Sequence, residues 1–173
     1  MQENYLAATN AVTVTPPTVT LADSLTLYRG GREIRLLFLG RGHTGGDVVV
    51  YLPKERVVAT GDLLVTNLSY IGDAYITDWI ATLDRLKGLD FDWVLPGHGQ
   101  AFQGKAKIDQ FQSYLRDFWS QAQKLHAAGV KPEDAAKQVD MRSHATDYPS
   151  ITAPGVLDHG VYRAYELIEG TVK

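Results

Sequence analysis

Cysteine is absent from the 173-residue chain, which excludes a disulfide framework, a thiolate metal site and a cysteine nucleophile. Long apolar runs are missing too. The longest, such as residues 48–52, fall far short of the roughly 20 residues that cross a bilayer, so no membrane partner is expected. Positive charge is not in excess: 17 Lys and Arg against 20 Asp and Glu leave a net charge of −3, and nothing suggests the clustered basic face that a nucleic-acid partner requires. The segment Met1-Gln2-Glu3-Asn4 carries no basic residue before Arg29 and no apolar stretch, so no signal peptide is expected and the default compartment is cytoplasmic. There is no G-x-S-x-G elbow, no phosphate-binding Walker loop and no H-E-x-x-H helix, which removes the commonest serine-hydrolase, nucleotide and zinc-protease signatures.

What is present is an ordinary globular composition, 45% hydrophobic and 21% charged, at the length of one domain spanning 1–173. Residues 1–20, polar and ending near Pro16-Pro17, read as an extended lead-in. Leu25, Leu27, Ile34 and Leu36 alternate with polar residues on either side of Gly30-Gly31, the pattern of a hairpin. Strands follow at 48–52 and 56–60. The period then changes. Ile76, Trp79, Ile80, Leu83 and Leu86 fall at helical spacing, with Thr77 as N-cap and Gly88 just past the end. A short strand at 91–95 leads to a long amphipathic helix over 105–128, whose apolar stripe includes Phe111, Leu115 and Phe118. Two further helices are predicted at 132–139 and 161–168. The order of elements predicts a mixed α/β layered domain.

Three polar residues sit where strands end, each beside glycine. His43 lies in Gly40-Arg41-Gly42-His43-Thr44-Gly45-Gly46-Asp47, Asp62 in Thr60-Gly61-Asp62, and His98 in Pro96-Gly97-His98-Gly99. Glycine removes side-chain bulk and permits close approach. If the strands share one sheet, the three side chains converge on one edge, and two imidazoles with a carboxylate suit zinc or a similar cation. A lone loop histidine is ordinarily solvated or capping, and Gly61-Asp62 alone is an ordinary turn. His126 reads as structural, late in a helix where its charge suits the dipole. Asp158-His159 reads as a helix start. Tyr70 and Tyr75 lie in or beside a loop over 67–74 that can line a pocket. Gly40-Arg41-Gly42 with Gly45 is not a dinucleotide loop, because a strand and not a helix follows it.

Gly42-His43-Thr44-x-Gly46-Asp47, Ala59-Thr60-Gly61-Asp62 and Val94-Leu95-Pro96-Gly97-His98-Gly99 resemble, in order, three successive motifs of the metallo-β-lactamase superfamily. The resemblance is strong over 30–100 and looser beyond. It implies that His43 binds a first metal, that Asp62 bridges two, and that His98 binds the second, with one or two zinc ions as cofactor. It also implies hydrolysis through a metal-activated water, Asp62 taking part through that water. The superfamily's His-x-His-x-Asp-His motif does not occur here, since no two histidines are separated by a single residue. The chain therefore looks like the C-terminal half of an αββα sandwich, a mixed sheet with helices on one face.

Half a sandwich leaves its other sheet face bare, and an exposed patch of that size marks an interface. The expected partner is a second copy of the chain, or a missing N-terminal half. The leading functional expectation is a metal-dependent hydrolase domain, incomplete and weakly active or inactive alone. The alternative is a catalytically silent structural or dimerising domain that keeps remnants of a metal site.

Overall fold

The computed structural model describes residues 12, 13 and 15–172. The remainder of the expected lead-in, residues 1–11 and 14, lies outside the described residues, and 15–20 carry neither helix nor strand. Six strands follow in chain order across one sheet: β1 (Ser24–Arg29), β2 (Arg32–Leu37), β3 (Val49–Leu52), β4 (Val57–Gly61), β5 (Trp93–Pro96) and β6 (Phe102–Gln103). All neighbours are antiparallel except β4 and β5, which are parallel. The crossover between those two carries helix α1 (Ile76–Lys87), as a parallel connection requires. After β6 come α2 (Ala106–Ala127), α3 (Pro132–Gln138), a 3₁₀ turn (Arg142–His144) and α4 (Asp158–Glu169).

The predicted elements are present. Three details differ. Thr77 lies inside α1, whose N-cap is Tyr75 without a side-chain cap; its N-terminal backbone is held instead by the bond from Trp79 N to Tyr75 O, at 2.8 Å. The helix predicted from 161 starts at Asp158, so Asp158-His159 does open a helix as expected. The two-residue strand β6 leaves too short a pattern to be read from sequence.

Alternation decides which side of the sheet is covered. Val49 and Tyr51 of β3, Val58 of β4 and Val94 of β5 face the helices and are buried with Trp79, Leu83, Phe111, Leu115 and Phe118. Their neighbours along the strands point the other way. In register, Leu25, Leu36, Val50, Ala59 and Leu95 form one cross-strand row on the opposite face. Leu27 with Ile34, and Leu52 with Val57 and Trp93, form the next. Leu27, Trp93 and Leu95 are exposed. Among the described residues, the helices therefore cover one face of the sheet and leave an apolar face open.

Polar contacts lock the helices to one another. The buried Gln112 amide of α2 donates to Ile80 O and Asp84 Oδ1, each at 2.8 Å, and accepts from Lys87 Nζ. Lys105 Nζ donates to Lys87 O and Leu89 O at the end of α1, where helix carbonyls lack partners and a cation suits the dipole. Tyr114 lies stacked between Phe111 and Phe118, at 6.3 and 6.5 Å.

Two outcomes follow for stability. Trp79 is buried, and its Nε1 donates to Leu63 O at 3.0 Å. Trp79→Ala is expected to cost about 3–5 kcal/mol by urea denaturation, the range for truncating a core aromatic. Burial, reinforced by the negative charge of Asp117, pushes the Tyr114 phenol up to about 12. The unfolded chain ionises this group near pH 10, so its stabilisation is intact below that pH and is lost as pH rises through about 12. Tyr114→Phe is expected to move the alkaline unfolding midpoint upward, read by circular dichroism against pH.

Candidate metal centre

β2, β4 and β5 run in the same direction, because β3 is antiparallel to both β2 and β4 while β4 and β5 are parallel. Their C-terminal ends therefore lie on one edge of the sheet, and the loops carrying His43, Asp62 and His98 all leave from it. The carboxyl ends of strands are where open α/β sheets place their ligands.

Asp62 and His98 meet at that edge. The β4–β5 register shifts between Ala59 and Gly61, and Gly61 has φ of 54°, which turns the chain out of the strand. Gly97 N donates to Gly61 O at 2.9 Å. A Cβ on Gly97 would overlap Asp62 Oδ1 and the backbone of Gly61 and Asp62, so only glycine allows this approach. Asp62 Oδ1 lies 3.4 Å from His98 Nε2. The His98 carbonyl accepts from Thr66 N at 3.2 Å and Thr66 Oγ1 at 3.4 Å, which ties the two loops together behind the pair. The His98 side chain is 80% exposed and that of Asp62 37%.

His43 sits in a loop closed by its own polar residues. Asp47 accepts from Thr44 N at 2.9 Å and Thr44 Oγ1 at 3.0 Å, and Thr44 Oγ1 accepts from Gly46 N at 3.2 Å. The Gly-Asp of this motif thus acts as a clasp. The half-buried His43 ring stands edge-on to Trp79 at 5.7 Å and to Tyr70 at 6.5 Å. A Cβ on Gly42 would press into the same indole. Among the described residues no group of three or more His, Cys, Asp or Glu side chains lies at metal-holding spacing. The structure brings Asp62 and His98 together and does not bring His43 into the same cluster.

The other histidines separate cleanly. His126 Nε2 is 2.9 Å from Glu169 Oε1 and its ring is edge-on to Tyr165, a structural placement. His144 is 8% exposed, with Nε2 3.1 Å from Asp117 Oδ2. The His159 ring packs at a tilt against Tyr70, centroids 4.5 Å apart, which joins the start of α4 to the 67–74 loop and, through Tyr70, to His43. Sequence reasoning missed this pairing, since nothing local to either residue signals it. Tyr75 is not free to line a pocket: the guanidinium of Arg41 lies over its ring at 4.2 Å and that of Arg163 at 5.0 Å.

The sequence profile of the metallo-beta-lactamase superfamily matches residues 3–98. A linear primary-alkylsulfatase from Pseudomonas sp. (strain ATCC 19151) is 25% identical over 93% of this chain, which spans 33% of that protein. A metallo-beta-lactamase structure from Pontibacter korlensis has a TM-score of 0.54 at 31% identity, over 65% of this chain and 54% of that one. The fold of a sec-alkylsulfatase from Pseudomonas sp. is similar over 89% of this chain and 27% of that one, with a TM-score of 0.69 at 16% identity. The chain thus spans only about a third of the length of the curated alkylsulfatase it matches. With the profile covering more than half of the residues, and the motifs it spans placed at the ends of β2, β4 and β5, the chain belongs to the metallo-beta-lactamase superfamily.

Proposed function

We propose that the strand-end edge is part of a metal-assisted hydrolase site, with Asp62, His98 and His43 as donors to zinc or a similar cation. The observation that carries this reading is the pair Asp62 and His98, 3.4 Å apart behind a glycine that admits the contact. The spacing fits: two ligands at zinc distances of about 2.0–2.2 Å in tetrahedral array lie roughly 3.4 Å from each other. The donor chemistry fits as well, an imidazole and a carboxylate being ordinary zinc ligands. A cation held there would supply Lewis-acid polarisation and an acidified water. The chain's own part is to orient. Gly61 and Gly97 present Asp62, Thr66 fixes the loop of His98, and Asp47 clasps the loop of His43. The similarities to an alkylsulfatase and to a metallo-beta-lactamase support hydrolysis as the reaction class.

A second reading has its own support. No three-donor group is gathered among the described residues, and the His-x-His-x-Asp-His motif is not in the sequence. A silent domain that retains two or three remnant donors accounts for both. A zinc titration tests the proposed site. On the hydrolase reading the chain takes up zinc weakly, and Asp62→Ala and His98→Ala each reduce the affinity roughly tenfold or more, measured by calorimetry. Turnover of a generic ester or lactam by the chain alone is slow or absent. Zinc uptake unchanged by both substitutions removes the proposed site.

The open sheet face carries the assembly part of the proposal. Two copies pair through the rows of Leu36, Val50 and Leu95 and of Leu52, Val57 and Trp93. Apolar area contributes about 25 cal/mol per Å² when removed from water, and an obligate interface buries more than about 2,000 Å² in total. Sedimentation at micromolar concentration is expected to give twice the chain mass, and the double variant Trp93→Lys, Leu95→Lys a monomer. A monomer in the unsubstituted chain overturns the pairing.

A further inference from the structure

Asp62 and His98 stand at the rim of the uncovered sheet face. Ala59 of β4 and Leu95 of β5 are register partners in one row of that face, and each donor follows three residues beyond one of them. The backbone is fixed on both sides of the histidine. A Cβ on Gly97 would overlap Asp62 Oδ1, and one on Gly99, at φ of 95°, would overlap Thr66 Oγ1. The His98 side chain is nonetheless 80% exposed, with Asp62 as the acidic group paired to it. A ring so bare contributes little packing to the fold. Its backbone is held in place, and its donor atom faces outward from the chain.

Two properties of the pair decide what can complete it. The first is geometric. In tetrahedral zinc, any two ligands lie roughly 3.4 Å apart at ordinary zinc–ligand distances. Asp62 Oδ1 and His98 Nε2, at 3.4 Å, match one edge of that tetrahedron. A tetrahedron has two-fold axes that exchange opposite edges. A second copy on such an axis supplies the opposite edge with the same two atoms, as an isologous contact allows. The second property is charge. One chain gives a divalent cation one carboxylate and one neutral imidazole, which leaves net positive charge beside the apolar rows, where uncompensated charge is costly. Two chains give two carboxylates and cancel it.

We infer that Asp62 and His98 form half of a cation site that two copies of the chain complete across a two-fold axis at the rim of the open face, one zinc-type cation to two chains. The inference rests on the metal-site reading above for the cation, and adds to it where the remaining donors come from. His43, set against Trp79 and Tyr70, takes no part in the shared set. The weak uptake expected of a single chain belongs to its unpaired form. Pairing and metal uptake then strengthen one another by the same factor.

The test reads stoichiometry and assembly and needs no turnover. Calorimetric titration of the metal-free chain with zinc chloride is expected to saturate at one zinc per two chains. Cobalt(II) is expected to give the intense visible absorption of a tetrahedral centre at the same ratio. In sedimentation, added zinc is expected to move any monomer to the dimer, and a chelator to reverse it. The double variant Trp93→Gln, Leu95→Gln removes exposed apolar area from the open face without adding charge near the donors. It is expected to keep its circular dichroism spectrum, to lose the tetrahedral cobalt spectrum, and to bind zinc roughly tenfold more weakly or worse. Where that variant does not fold, the ratio and the cobalt spectrum of the unsubstituted chain decide. Zinc uptake that is absent at every chain concentration overturns both this inference and the metal-site reading. Saturation at one zinc per chain, or a folded monomeric variant that holds zinc as tightly as the unsubstituted chain, overturns the sharing alone and leaves the metal site within one chain.

Discussion

The indole of Trp79 holds together elements that sequence places far apart. It projects from α1, donates to Leu63 O directly after Asp62, supports the ring of His43 at 5.7 Å, and meets Phe111 of α2 at 4.9 Å edge-to-face. A buried indole must find a partner for its N–H, and here the partner is the backbone that leaves β4. One side chain therefore couples the helical layer to two of the three strand-end loops. Gly42 is glycine for the same reason, because any larger residue would displace the ring from beneath His43.

At the opposite end of β4 the parallel pairing has its own anchor. Arg56 has φ of 57° without being glycine, a conformation costing about 1–2 kcal/mol. Its carbonyl accepts from Asp92 N at 2.8 Å and Trp93 N at 3.1 Å. Its guanidinium grips Asp92 through two bonds of 2.8 and 2.9 Å and pairs with Asp90 as well. The hydrogen bonds from Arg56 hold the Asp92 carboxyl below the usual carboxylate range. The contacts that turn the chain out of β3 into β4 also set where β5 begins. Because β4 and β5 run in parallel, fixing their starts fixes their ends, and Asp62 and His98 stand at those ends.

Much of this was legible in the sequence, for specific physical reasons. Alternation at Leu25, Leu27, Ile34 and Leu36 around Gly30-Gly31 identified the hairpin, and those same residues lie on the open face. Helical spacing found α1 and α2 within a residue or two. The glycine-flanked loops of His43, Asp62 and His98 were legible because close approach leaves a compositional trace. Family membership followed from those same loops, and the profile match agrees with it. Contacts between distant segments leave no such trace. The packing of His159 against Tyr70 and the Arg163 guanidinium beside Tyr75 depend on how α4 returns to the sheet, the pairing of buried His144 with Asp117 on how the 3₁₀ turn meets α2, and the Arg41 guanidinium over Tyr75 on how the His43 loop meets the start of α1. No local pattern encodes that return.

The donor edge and the open face are not independent features. Trp93 and Leu95 belong to the uncovered rows, and His98 is three residues beyond Leu95 on the same excursion from the sheet. Its 80% exposure has the same cause as theirs: the helices stop on the other side. A zinc site wants three or four protein ligands, and Asp62 and His98 offer two at close range. The side from which further donors can approach is the side that no helix occupies. Whatever covers the apolar rows comes to lie against the same strand ends, so on the proposed reading the interaction that removes hydrophobic surface from water also decides whether the Asp62–His98 edge gains further donors.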